Sequence, residues 1–183
     1  LDYNFTFDSF NQVINAVNTA DASIQTLQPI DSFTDATTTD NDSVTITAIG
    51  GMAIAAATFT RIENITFDLV DFENANINGA IITEAKNLKL KGTLAADTAF
   101  TVTNEGFNVI DASDVVATAG TTPEITLSAK TDAATSITGS KTLKNTINGS
   151  SAGDNLTGGD NNDTLDGKDG ADILAGGKGT NVY

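Results

Sequence analysis

From residue 149 onward the chain falls into nine-residue units, the last one residue short, and this periodicity constrains the fold more than any other feature of the sequence. The units read GSSAGDNLT (149–157), GGDNNDTLD (158–166), GKDGADILA (167–175) and GGKGTNVY (176–183), and a degenerate unit, SKTLKNTIN (140–148), precedes them. Position six holds Asn145, Asp154, Asp163, Asp172 and Asn181. Position eight is aliphatic at Ile147, Leu156, Leu165 and Leu174, while Val182 falls one place early. Self-similarity at a short fixed period marks a repeat architecture, in which each unit buries its apolar residue only by stacking on its neighbours. A flexible Gly/Asp linker would have no reason to keep a leucine in phase with the aspartate.

The preceding segment reads as many short strands. SVTITAI (43–49), ENITFDLV (63–70), ANIN (75–78), KNLKLK (86–91), AFTVT (99–103), FNVIDA (107–112) and EITLSA (124–129) alternate polar and apolar residues and are rich in β-branched types. An Asn-aliphatic pair recurs at Asn64-Ile65, Asn76-Ile77, Asn87-Leu88 and Asn108-Val109. Its spacing suits one or two turns of a coil, in which stacked asparagines satisfy one another by hydrogen bonding. An ordinary β-sandwich of short strands is the alternative. Residues 8–27 carry Phe10, Val13, Ile14, Val17, Ile24 and Leu27 at helical spacing, with Asp8 or Ser9 as a cap and Pro29 at the far end. An amphipathic helix here would serve as a lid on the open end of a repeat fold.

Composition removes most catalytic hypotheses. The chain has no cysteine and no histidine, so disulfides, thiolate metal sites and the usual general base are all excluded. Neither G-x-S-x-G nor H-E-x-x-H occurs, and acid pairs such as Glu63 with Glu73 or Asp68 with Asp71 are expected in any chain with 24 acids. The formal charge is −15, and no Lys or Arg precedes Arg61. Such a field repels nucleic acid and anionic headgroups and attracts cations. No apolar run reaches membrane-spanning length; GGMAIAAATF (50–59) is too short. The start LDYNF has neither Met nor the basic and apolar regions of a signal peptide, so a processed product or fragment is expected.

The nonapeptides match G-G-x-G-x-D-x-U-x, and on these residues the C-terminal segment resembles the RTX family of calcium-binding parallel β-rolls exported by Gram-negative bacteria. The resemblance implies a turn over the first six positions and a short strand over the last three, two units per coil, and calcium held between units n and n+2. Calcium takes six to eight hard oxygens at about 2.3–2.6 Å, from carboxylates and main-chain carbonyls. The strongest implied site joins the carbonyls of Gly149 and Ser151 and the carboxylate of Asp154 to the carbonyls of Lys168 and Gly170 and the carboxylate of Asp172. A second, on the opposite side, joins Gly158, Asp160 and Asp163 to Gly177, Gly179 and Asn181. An earlier one combines Ser140, Thr142 and Asn145 with Gly159, Asn161 and Asp163. Asn145 and Asn181 replace the acid with a neutral oxygen, which weakens both flanking sites. The side chains of Asp160, Asp166 and Asp169 fall at non-ligating positions and are expected to be solvated. Ordering of the repeats at millimolar calcium is expected.

The Thr/Ala/Asn/Asp-rich strands of 43–148 resemble, in style rather than by a motif, the calcium-dependent surface-layer (S-layer) proteins of Gram-negative bacteria. The expected fold is therefore all-β: an N-terminal helix and loop as cap (1–42), a parallel β-helix or β-solenoid (43–139), and a C-terminal RTX β-roll (140–183). The resemblance implies a non-enzymatic, secreted structural protein at the cell surface. Its partners would be calcium ions, further copies in a lattice and, through the parent protein, outer-membrane lipopolysaccharide. The alternative is a calcium-binding folding or secretion module of a large adhesin, toxin or hydrolase.

Overall fold

The computed structural model describes residues 4–7, 13–17, 32–35, 41–50, 58–73, 76–78, 82–83, 85–95, 97, 99–103 and 106–183. The chain is an all-β solenoid whose strand pairings are all parallel. One face is an eight-stranded sheet of β2 (Val13–Val17), β4 (Ser43–Ile49), β6 (Asn64–Phe72), β9 (Asn87–Leu94), β11 (Val109–Ala117), β13 (Ser136–Thr138), β15 (Asn155–Gly159) and β17 (Ile173–Gly177), paired in that order. A five-stranded sheet takes the intervening segments β7 (Asn76–Asn78), β10 (Ala99–Thr103), β12 (Glu124–Ser128), β14 (Lys144–Asn148) and β16 (Thr164–Asp166). A four-stranded sheet contains β1 (Asn4–Phe7), β3 (Ser32–Asp35), β5 (Thr58–Thr60) and β8 (Ile82–Thr83).

Alternation produces these strands. In SVTITAI the residues Val44, Ile46 and Ala48 are fully buried while Ser43, Thr45 and Thr47 lie toward solvent. Because parallel pairing puts like positions over one another, the inward residues form a column: Val44, Ile65, Leu88, Ile110, Ile137, Leu156 and Leu174 are successive partners along the large sheet. Val102, Leu127, Ile147 and Leu165 do the same on the five-stranded sheet. The inward side chains of the three sheets merge into a single buried cluster. Toward the N-terminus aromatic rings widen it: Phe33 stacks on Phe59 at 4.9 Å, and Phe72 meets Phe100 edge-on at 5.8 Å.

The coil is tightest at its C-terminal end. Asn64 lies under Asn87, 23 residues on, whereas Asn155 lies under Ile173 and Thr146 under Thr164, 18 residues on. The wider turns need bulges. Register slips between Leu69 and Phe72 in β6 and between Asp111 and Asp114 in β11, on either side of Gly92. Gly92 has φ +100, and a methyl group there would overlap the Leu69 carbonyl oxygen.

Two expectations are corrected. Within the span expected to be helical, Val13–Val17 form a strand paired with β4, and the rest of 8–27 lies outside the described residues. Valine and isoleucine are β-branched and stiff at χ1, so once a parallel neighbour is present they favour the sheet over an isolated helical turn. The Asn-aliphatic pairs do not form one column. Asn87 donates to Asn64 Oδ1 at 2.8 Å and Asn64 donates to Asn41 Oδ1 at 3.0 Å. Asn76 instead stands on the five-stranded sheet beside Thr101. Asn108 is one place out of register, because Val109 pairs with Asn87 and Ile110 with Leu88. Accordingly Ile110 is buried and Val109 is exposed.

Candidate metal centre

The position-six side chains occupy two edges of the solenoid, and the 18-residue register decides which they meet. The turn 149–154 joins β14 to β15, and the turn 167–172 joins β16 to β17 one rung further on. Asp154 and Asp172 are therefore consecutive on one edge, below Thr135. Asp163 stands on the other edge between Asn145 and Asn181.

Four of these five side chains reach back one rung to a backbone amide, while Asn145 Oδ1 accepts the Ser140 N–H of its own turn at 2.7 Å. The Thr135 N–H donates to Asp154 Oδ1 at 2.7 Å, the Asn145 N–H to Asp163 Oδ1 at 2.7 Å, the Asp154 N–H to Asp172 Oδ1 at 2.8 Å, and the Asp163 N–H to Asn181 Oδ1 at 2.9 Å. The second oxygen fixes the local turn: Asp154 Oδ2 accepts the Ser150 N–H at 2.6 Å and its hydroxyl at 2.9 Å, and Asp163 Oδ2 accepts the Gly159 N–H at 2.6 Å. Asp163 Oδ1 also accepts the Asn145 amide at 2.9 Å. At a corner the chain leaves the sheet, so an amide there has no strand partner, and a buried amide without an acceptor is costly. Asp154 and Asp163 answer that need and are buried, at 2% and 1% exposure.

Sequence reasoning missed the part that three side chains play in closing the turns. Ser140 is buried; its hydroxyl donates to the Val115 carbonyl at 2.6 Å and accepts the Thr142 and Leu143 amides. Ser150 does similar work beside Asp154, and its hydroxyl also accepts the Ala152 amide. Serines opening the turns SKTL and SSAG were the available signal, since a hydroxyl can close a turn locally. Glu63, far from the repeats, repeats the device: its Oε2 accepts the Asp42 N–H at 3.0 Å, and it is 4% exposed.

Gly149, Ser151 and Lys168 line one recess of about 290 Å³, with Asp132 and Asp169 at its margin; Lys168 is left-handed, at φ +61. Asp154 lines an adjoining recess of about 240 Å³, while Gly170 and Asp172 line neither. On the other edge Asp160 pairs with Lys178 at 2.8 Å, and the Asn161 amide donates to the Thr142 carbonyl. Gly158 is buried over Asp163, whereas Gly177 and Gly179 have positive φ on the exposed final turn. Asp166 accepts the Lys168 amide, and Asp169 is exposed.

The donor chemistry fits a hard cation, because every candidate atom is a carbonyl or carboxylate oxygen. A carboxylate offers about four acceptor positions. Asp154 has three in use, whereas Asp172 accepts a single hydrogen bond and is the freer ligand. Among the described residues no cluster of three or more acidic side chains forms, so a cation here would have to complete its shell with main-chain oxygens. Comparison with protein-family models, curated proteins and solved structures finds no match to this chain.

Proposed function

We propose that this chain is a non-enzymatic, calcium-dependent structural protein, part of a secreted bacterial surface layer that orders and assembles on the cell surface when calcium is present. The observation that carries this reading is the placement of Asp154 and Asp172 one rung apart on a single edge, in the same turns as Gly149, Ser151 and Lys168, which line a recess. Two carboxylates about 4.8 Å apart along a rung repel until a cation joins them. Binding to the folded state alone would stabilise it by about 2.7 kcal/mol at a calcium concentration a hundredfold above Kd. A weak site would leave the chain loosely folded where calcium is scarce and order it after export.

The non-enzymatic part of the reading is supported by the employment of the acids. Glu63 holds a backbone amide and Asp68 holds Lys91 at 2.7 Å, so neither is presented to a substrate. A second reading, a folding module within a larger exported protein, draws support from the large sheet's outer face. There Lys89 pairs with Asp114 at 2.8 Å and Lys91 with Asp68, so these charges are satisfied within one copy rather than between copies.

Calcium and chelator titrations followed by circular dichroism and thermal melting test the cation. The expected result is a higher melting midpoint in calcium that Asp172→Asn abolishes; an identical midpoint in calcium and chelator would refute it. Electron microscopy of concentrated protein in calcium separates the two readings, with ordered sheets for the lattice and dispersed monomers for the module.

A further inference from the structure

Asn145 is fully buried in β14, and both ends of its side-chain amide are engaged. Its Oδ1 accepts the Ser140 N–H at 2.7 Å. Its Nδ2 donates to the Ser140 carbonyl at 2.9 Å, to the Leu143 carbonyl at 3.1 Å and to Asp163 Oδ1 at 2.9 Å. The neighbours settle which end is nitrogen, because a main-chain N–H only donates and a carbonyl only accepts. One nitrogen therefore gathers two main-chain carbonyls of its own turn and a carboxylate from the next rung.

That is the ligand set of a hard cation. Calcium collects carbonyl and carboxylate oxygens at about 2.3–2.6 Å, so an ion held by these oxygens would compete for the space that the Asn145 NH₂ group fills. The RTX resemblance implies a site here, formed by Ser140, Thr142 and Asn145 with Gly159, Asn161 and Asp163, and the residues do not fit one. The Ser140 carbonyl is bonded to Asn145, and the Thr142 carbonyl accepts the Asn161 amide. Asp163 Oδ1 accepts both the main-chain N–H and the side-chain amide of Asn145, and its Oδ2 accepts the Gly159 N–H. Asn181 repeats the arrangement one rung on: its Oδ1 accepts the Asp163 N–H at 2.9 Å, and its Nδ2 faces the Lys178 and Gly177 carbonyls at 3.2 and 3.4 Å. On the other edge the corresponding positions are Asp154 and Asp172, and an ionised carboxylate has no hydrogen to give a carbonyl.

We propose that Asn145 is a built-in substitute for a cation. Its NH₂ group draws the Ser140 and Leu143 carbonyls and Asp163 together by hydrogen bonds in place of metal coordination, so the Asp163 edge closes without metal and a cation is directed to the Asp154/Asp172 edge. The last clause rests on the calcium reading above; the substitution itself does not. Neutral donors suffice at Asp163 because main-chain N–H groups on both of its oxygens share the charge. One edge is then set before an ion arrives, which lowers the ordering cost of binding on the other.

The test is Asn145→Asp, which keeps an acceptor for the Ser140 N–H and removes only the donors. In chelator the variant should melt below the parent, and hydrogen-exchange protection at Ser140 and Gly159 should fall about ten- to hundredfold. Calcium should recover most of the lost midpoint, because two carboxylates and two carbonyls then surround the vacated place. Made in an Asp172→Asn background, the variant reports that recovery from this edge alone. In the parent, protection at Ser140 and Gly159 should be equal in chelator and in calcium. Parent-like melting of Asn145→Asp in chelator, no recovery in calcium, or a calcium-induced rise in protection at Ser140 and Gly159 of the parent would each overturn the proposal. Calcium-independent protection at Ser150 of the parent would instead refute the calcium reading, and the chelator comparison would still decide the role of Asn145.

Discussion

Replacing Asp154 with alanine tests whether the position-six carboxylates hold the backbone. The side chain accepts the Thr135 N–H at 2.7 Å, the Ser150 N–H at 2.6 Å and the Ser150 hydroxyl at 2.9 Å, and only 2% of it is exposed. Alanine leaves two buried backbone donors without acceptors, at about 1–3 kcal/mol each. The hydroxyl can rotate to another acceptor and adds little. Water reaching in through the adjoining recess of about 240 Å³ relieves part of the loss, so we expect about 2–4 kcal/mol. Asp172→Ala removes one bond, to the Asp154 amide, at a half-buried position, and should cost about 1 kcal/mol. Urea melts in chelator give the totals, and amide hydrogen exchange locates them. Protection should fall at Thr135 and Ser150 in Asp154→Ala, and at Asp154 in Asp172→Ala. Unchanged protection at Thr135 and Ser150, or equal losses for the two variants, would refute the reasoning.

Three further substitutions probe the frame. Leu156→Ala, at a fully buried position between Ile137 and Leu174, should lower stability by about 2–5 kcal/mol in the same melts. Gly177→Ala places a methyl group onto the Gly159 carbonyl oxygen at φ +79; hydrogen exchange should show the β15–β17 pairing opening while the turns before Ser136 stay protected. The hydrogen bond from Lys89 and its positive charge hold the exposed Asp114 carboxyl below the ordinary range, and Asp114 in turn raises the Lys89 ammonium above its own. Stability from Asp114 is therefore present above the unfolded carboxyl pKa and lost as pH falls through the depressed folded value. That from Lys89 is present below the unfolded ammonium pKa and lost as pH rises through the raised one. In Lys89→Met a ¹³C titration should find the Asp114 carboxyl back near the usual aspartate range; no change would dismiss the pairing.

Legibility in the sequence tracked how constant the turn length is. In the nonapeptides two units make one turn, so, with the two-unit coil that the resemblance implies, Leu156 over Leu174 and Asp154 over Asp172 follow by counting. Upstream the turns vary and bulges shift the register. There the intervals of 12 and 11 residues between Asn64, Asn76 and Asn87 are half-turns that place Asn76 on another sheet. The bulge in β11 lies beyond Val109, yet the Asn-aliphatic pattern is already off by one at Asn108, since Val109 takes the place opposite Asn87. Strand existence survived all this, since alternation is local: 43–49 and 99–103 are strands as read, and the one read at 124–129 runs over 124–128. Strand β2 was misread because Val13, Ile14 and Val17 keep a helical spacing, whereas the register that sets Ile14 and Ala16 beside Val44 and Ile46 comes only from pairing with β4.

The aspartate of the repeat serves two purposes, and Glu63 allows them to be separated. Glu63 accepts a backbone amide from the previous rung, as Asp154 and Asp163 do, but ENIT at 63–66 has no glycine-rich turn to offer carbonyl oxygens beside it. The backbone role needs only a buried acceptor at a corner, whereas the cation role needs an acid together with convergent main-chain oxygens. Glu63→Gln keeps an acceptor oxygen and removes the charge, so its stability should differ from the parent by the same amount in chelator and in calcium. Asp172→Asn likewise keeps an acceptor for the Asp154 amide, so in chelator it should melt close to the parent, and it should fall behind as calcium is added. Parallel calcium dependence of the two variants would mean that the aspartates of the repeat act only as backbone acceptors. Divergence confined to Asp172 would assign the cation to the edge where two acids meet without an intervening asparagine.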